Sequence, residues 1–162
     1  MLDRTARQII DPPLNALGRG LAARGWTADG VTLLGLVLGM LAAGVIAVGA
    51  PGWALLPLLA SRIADGLDGA VARATRKTDF GGYLDIACDF LFYGAVPLAF
   101  VFANPDANAV AGAFLLTSFY FNGTSFLGYA ILAEKAGMET DDGIVDHEDQ
   151  LDLFDMACFR PQ

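Results

Sequence analysis

Hydrophobic residues along this chain fall into long, nearly uninterrupted blocks, set apart by short polar punctuation. Residues 31–50 are almost wholly apolar and dotted with glycine. A helix of about 20 residues, rising 1.5 Å per residue, crosses a hydrocarbon core ~30 Å thick, so this block predicts a first membrane span. Pro51 and Gly52 turn the chain, and Trp53 suits the interface. A second span is expected over residues 55–74 and a third over 82–103, with a kink at Pro97. Asn104, Pro105 and Asp106 turn the chain into a fourth span, residues 108–133, whose polar insertions are Asn122, Thr124, Ser125 and Tyr129. The pattern predicts an all-α integral membrane protein of about four transmembrane helices.

The flanks differ from the blocks. Residues 2–24 mix Arg4, Arg7, Arg19 and Arg24 with Leu2, Ile9, Ile10, Leu14, Leu17 and Leu21. Two short amphipathic pieces broken at Pro12 and Pro13 are expected, lying on the membrane surface with arginines toward lipid headgroups. Gly25 ends that helix, and Thr27 or Asp29 caps the next. Past Gly137 the chain turns acidic and has no block that could span a bilayer. The organisation is therefore an interfacial segment at 1–29, a transmembrane core at 30–136 and an acidic soluble tail at 137–162. Within the tail, His147 has no ligand partner at the usual metal spacing, and Asp141, Asp142 and Gly143 are turn chemistry. Residues 1–29 show neither an apolar core nor a small-residue cleavage site, so the first span is expected to direct insertion.

At 162 residues and 55% hydrophobic content, the chain makes one small polytopic domain. The net charge of −8 is carried largely by the tail and by one internal stretch, and the absence of a basic stripe argues against nucleic acid as a partner. Cys88 and Cys158 lie in unlike surroundings, which argues against a disulfide. Arginine and lysine cluster before the first span, around the end of the second and after the fourth, while the loops near Pro51 and Pro105 have none. The positive-inside rule then puts the N-terminus and the loop after the second span on the cytoplasmic side of the inner (plasma) membrane.

That loop adjoins the chemistry. Asp65 and Asp68 stand three residues apart and Asp85 and Asp89 four apart, so each pair projects from one face of its helix. An aspartate at the centre of a span costs roughly 2.5 to 3.5 kcal/mol on insertion scales, and a cluster needs a compensating cation. Arg62 and Arg73 can neutralise two of the charges as a purely structural knot. Mg²⁺ or Mn²⁺ accounts for more of them, since hard ions favour oxygen donors and carboxylates can hold two ions about 4 Å apart. Gly66, Gly69, Ala70 and Ala72 leave one helix face without bulk, suiting either close helix packing or a flat ligand. A cation path through the membrane is a competing reading, weakened because the acids cluster at one depth.

Asp65-x-x-Asp68-Gly69-x-x-Ala72-Arg73, seven residues, then Gly81-x-x-x-Asp85-x-x-x-Asp89 resembles the signature of the CDP-alcohol phosphotransferases (phosphatidyltransferases). All eight signature residues are present at accepted spacing. The resemblance implies a membrane enzyme that moves a substituted phosphate from a CDP-linked lipid, usually CDP-diacylglycerol, to an alcohol acceptor, releasing CMP, with membrane lipid around it and a second copy of the chain as a candidate partner. It implies that Asp65, Asp68, Asp85 and Asp89 ligate a pair of Mg²⁺ or Mn²⁺ ions and that Asp89 also serves as general base. Gly69 and Ala72 make room for the cytidine, Arg73 stands near the diphosphate or braces the acids, and Gly81 lets the second and third spans approach. Thr32 is a further candidate for nucleotide contact.

The family core has six spans against the four read here, with the acidic tail where the last two are expected. A truncated or frame-shifted product, a minimal variant completed by a partner chain, and a relative without turnover that binds only metal and CDP-lipid are the readings this leaves open. After Lys77 only Lys135 and Arg160 are basic, which points to an uncharged or zwitterionic acceptor or to a lost phosphate pocket.

Overall fold

Thr27, Thr78 and Asn104 each stand just ahead of a long apolar run, and each starts a helix by the same device. In a computed structural model describing residues 2–135, the Thr27 hydroxyl accepts from the Gly30 N–H at 3.1 Å, Thr78 from Gly81 at 3.0 Å, and the Asn104 side chain from Ala107 at 3.2 Å. These bonds satisfy amide donors that a helix start leaves without partners. The chain forms α1 (Leu2–Ala22), α2 (Ala28–Ala47), α3 (Pro51–Ala74), α4 (Asp79–Ala103) and α5 (Pro105–Lys135). Gly25 and Gly49, both at positive φ, close α1 and α2. Of the two expected caps for α2, Thr27 acts and Asp29 falls in the first turn. The acidic tail, His147, Cys158 and Arg160 lie outside the described residues.

Two expectations about the helices change. α1 runs unbroken through Pro12 and Pro13, where two separate pieces were expected. A proline φ near −65° is itself helical, so both prolines can stand within one helix although each forfeits its N–H bond. Among the described residues three helices, α2, α4 and α5, are long and apolar enough to cross a membrane by length and composition, against the about four spans expected. The charged second half of α3 keeps it from qualifying, although its first half exposes Trp53, Leu55, Leu56, Leu59 and Ile63.

The chain divides into two compact units, Met1–Phe119 and Tyr120–Gln162. In the first, α2 is the hub: it packs on both α3 and α4, while α1 packs on α3. Small residues make this possible. A side-chain carbon on Gly35 would lie 3.3 Å from Ala64, and one on Gly39 would run into the Phe92 ring and come within 3.1 Å of the Ser61 hydroxyl. Backbones approach through such positions in membrane helices, where lipid gives apolar side chains no reason to prefer protein. Ala42, Ala43, Ile46, Ala54 and Ala99 form one buried cluster, and Val31, Ala64 and Val71 another. The first half of α5 meets α4, where Phe119 stacks on Tyr93 with ring centroids 5.4 Å apart. Described by itself, the second unit is helix up to Lys135, with Tyr120, Phe121 and Leu127 exposed.

Candidate active site

The four aspartates come together across the helices that α2 separates. Asp65 and Asp68 project from α3, Asp85 and Asp89 from α4. Asp65 lies within electrostatic reach of Asp85 and Asp89, Asp68 of Asp65 and Asp89, and Asp85 of Asp68 and Asp89.

Each carboxylate has its own surroundings. Asp68 is the deepest, only 5% exposed. Thr32 of α2 donates its hydroxyl to Asp68 Oδ2 at 2.7 Å, and the Gly69 amide donates to Oδ1 at 2.6 Å. Both oxygens are thus oriented before any ligand arrives. Asp89 Oδ1 and Asp65 Oδ2 receive Arg62 Nη1 at 3.1 and 3.6 Å. Arg62 in turn lies over the Phe92 ring, 3.8 Å from its centroid. Ser61, fully buried, donates its hydroxyl to the Gly35 carbonyl at 2.7 Å and so ties α3 to the floor of the site.

Other expected site residues fall differently. Arg73 neither joins the acids nor stands clear of protein. Its Nε and Nη2 both donate to Asn15 Oδ1 of α1, at 3.1 and 3.0 Å, because α1 packs along the second half of α3. Gly81 does not bring α3 and α4 together; a side-chain carbon there would meet the Thr78 hydroxyl and, at 3.1 Å, Asp29 Oδ1 of α2. The bare face of α3 is divided between two uses. Gly66 faces Leu14, and Ala70 sits under Gly18, whose missing side chain lets α1 come within touching distance. At Gly69 the near neighbour is the Arg73 guanidinium, 3.4 Å from where a side-chain carbon would be, and Ala72 is half-buried beside it. Thr124 and Ser125, polar insertions of the expected fourth span, donate to the Tyr120 and Phe121 carbonyls of their own helix. Cys88 is a free, half-buried thiol in α4.

Sequence reasoning missed Asn15, Ser61 and the part played by α2. Gly35-x-x-x-Gly39 is a small-xxx-small pattern that marks a contact face, and it was the available signal for the floor.

Four carboxylates around one guanidinium leave a surplus of negative charge, and an all-oxygen donor set suits hard divalent ions. The residues fit such ions in chemistry. They do not form a finished cage: among the described residues no three acidic, histidine or cysteine side chains are drawn tightly enough to hold a metal. Asp65 and Asp89 instead share a single nitrogen of Arg62, Nη1, which lies 3.6 Å from Asp65 Oδ2 and 3.1 Å from Asp89 Oδ1.

Comparison with known proteins agrees with the motif. The chain is 42% identical over 125 residues to inner membrane protein YnjF of Escherichia coli (strain K12), an alignment covering 69% of this chain and 61% of that protein. The chain thus spans about 61% of the length of the curated relative it matches. No solved structure matches. The family model for CDP-alcohol phosphatidyltransferase matches residues 26–140, from the turn before α2 to just past α5. A match over that much of the sequence, enclosing every residue of the acidic patch, makes the chain a member of the CDP-alcohol phosphatidyltransferase family.

Proposed function

We propose that this protein transfers a substituted phosphate from a CDP-linked lipid such as CDP-diacylglycerol to an alcohol, with release of CMP, as a step in phospholipid synthesis. The observation that carries the reading is the meeting of Asp65, Asp68, Asp85 and Asp89 over α2, with more negative charge than Arg62 offsets.

Asp65, Asp68, Asp85 and Asp89 would hold two Mg²⁺ or Mn²⁺ ions, which when bound supply the positive charge that phosphoryl oxygens and a departing CMP require. Asp68 enters that role already oriented by Thr32 and Gly69. Gly69 and Ala72 leave room for the cytidine. Arg73, its fork turned by Asn15, offers its remaining N–H donors to the diphosphate. The acceptor hydroxyl attacks the lipid-bearing phosphorus, its proton passes to Asp89, and the bond from that phosphorus to the CMP oxygen breaks. A carboxylate is a weak base for an alcohol, so alignment of the two substrates supplies much of the rate. The shortage of basic residues after Lys77 favours an uncharged or zwitterionic acceptor. The site opens to the cytoplasmic side of the inner membrane.

The test is CMP release from labelled CDP-diacylglycerol by the purified protein with Mg²⁺ or Mn²⁺, using glycerol, serine, inositol, glycerol 3-phosphate and inositol 1-phosphate as acceptors. Release with a neutral or zwitterionic acceptor is expected, falling about 10²- to 10⁴-fold in Asp89→Asn. Folded protein that releases no CMP with any acceptor overturns the transferase reading. Robust use of a phosphorylated acceptor overturns the acceptor class alone.

A further inference from the structure

Arg62 is not one of the eight signature residues, yet its guanidinium stands inside the acidic patch. Nη1 reaches Asp89 Oδ1 at 3.1 Å and Asp65 Oδ2 at 3.6 Å, Nη2 reaches the Ser61 hydroxyl at 3.4 Å, and Cζ stands over the Phe92 ring, 3.8 Å from its centroid and 5.9 Å from that of Tyr93. Nε is shut off from solvent without a hydrogen-bond partner.

Those contacts are unlike a permanent brace. An arginine fixed in place for structure frequently uses its fork bidentately on one carboxylate, and the large majority of buried donors are paired. Here a single nitrogen is shared between carboxylates from two helices, one contact is long, and a buried N–H has nothing to bond. The stacked ring keeps the guanidinium attached to the site by a contact that does not depend on either carboxylate. The oxygens it touches, Asp65 Oδ2 and Asp89 Oδ1, are donors that the metal reading assigns to divalent ions.

We infer that Arg62 is the chain's own counter-cation for the Asp65–Asp89 edge, and that a divalent ion takes those oxygens by displacing its guanidinium, so that Arg62 sets the metal affinity of the site. The inference rests on the metal-dependent reading proposed above. It makes Arg62 a positioning residue: it keeps two like charges side by side and yields them to a stronger cation.

The test is a Mn²⁺ titration of wild-type, Arg62→Met and Arg62→Lys proteins in detergent, followed by electron paramagnetic resonance of free Mn²⁺, with thermal melting in chelator and in Mn²⁺ alongside. Removing the competitor is expected to tighten Mn²⁺ binding in Arg62→Met about tenfold. The same variant is expected to melt lower in chelator and to gain more from Mn²⁺ than wild type does. Arg62→Lys, which keeps the charge but loses the planar stack, is expected to bind more tightly than wild type and less tightly than Arg62→Met. A purely structural role lowers the melting temperature without tightening metal binding. Unchanged or weaker Mn²⁺ binding in folded Arg62→Met therefore overturns the inference while leaving the metal reading intact. If Arg62→Met is not monodisperse, Arg62→Lys decides: affinity at or below wild type overturns the inference. Failure of all forms to bind Mn²⁺, wild type included, overturns the metal reading and the inference with it.

Discussion

At the scale of single residues, the bond from Thr32 to Asp68 does more than its place in an apolar helix suggests. Asp68 is the most deeply set of the four acids, and a buried carboxylate that loses a donor forfeits about 1.5 to 3 kcal/mol. Thr32→Val keeps the shape and removes the donor, so Mn²⁺ affinity should fall about tenfold or more, while Thr32→Ser should hold near wild type; titration of both variants checks this. Arg73 gives a milder case. Its pairing with Asn15 is exposed, and such pairs add at most about 1 kcal/mol to stability. Asn15→Ala should leave the melting temperature nearly unchanged and raise the KM for CDP-lipid severalfold with kcat little altered, in steady-state assays over a range of lipid concentrations. The aspartates were legible because spacings of three and four put them on helix faces whatever the tertiary fold. Asn15 was not legible, because it lies 58 residues before its partner and no local pattern links them. Gly81 was read as a contact between neighbouring spans; its approach to Asp29 depends on α2 lying under both α3 and α4.

Among the elements, α2 decides how closely α3 and α4 can come, and its glycines offer a direct comparison. Gly→Ala in a helix interior ordinarily gains about 1 kcal/mol from propensity alone. At Gly44 the added carbon meets nothing within 4 Å, so Gly44→Ala should be neutral or stabilising. At Gly39 the same carbon runs into Phe92 and the Ser61 hydroxyl, both already placed against the acidic patch. Overpacking of this kind costs typically 1 to 3 kcal/mol, enough to reverse the propensity gain. Gly39→Ala should lower the melting temperature in detergent while Gly44→Ala does not, and equal behaviour in the two refutes α2 as the tight floor of the site. The helices themselves were readable from unbroken apolar blocks and from capping Thr27. α1 was misjudged because a tandem proline looks like a break, whereas its backbone angle is compatible with helix. The bare face of α3 was read as one surface, since sequence alone does not reveal that α1 covers Gly66 and Ala70 and leaves Gly69 to Arg73.

For the whole molecule, the question is which end of the helices faces the cytoplasm. Gly81 lies against Asp29, so α2 and α4 begin at the same end, and α3 finishes there because a short turn leads from it into α4. Arg24, Arg73, Arg76 and Lys77 gather at that end, whereas the turns at Val48–Ala50 and at Asn104 carry no basic residue. Basic residues near span ends are held back from translocation, and on that rule we propose that this end faces the cytoplasm. The acids lie toward it as well, Asp65 and Asp68 in the second half of α3 and Asp85 and Asp89 in the first half of α4. In a chain whose own cysteines are replaced by serine, Arg76→Cys should react with a membrane-impermeant maleimide in inverted vesicles and resist it in intact spheroplasts. Ala107→Cys, at the start of α5, should do the reverse. The opposite labelling pattern would place the acidic patch on the far side of the membrane and sink the cytoplasmic assignment. The metal and transferase readings, which depend on the meeting of α3 and α4 over α2, would then have to draw their acceptor from the other compartment.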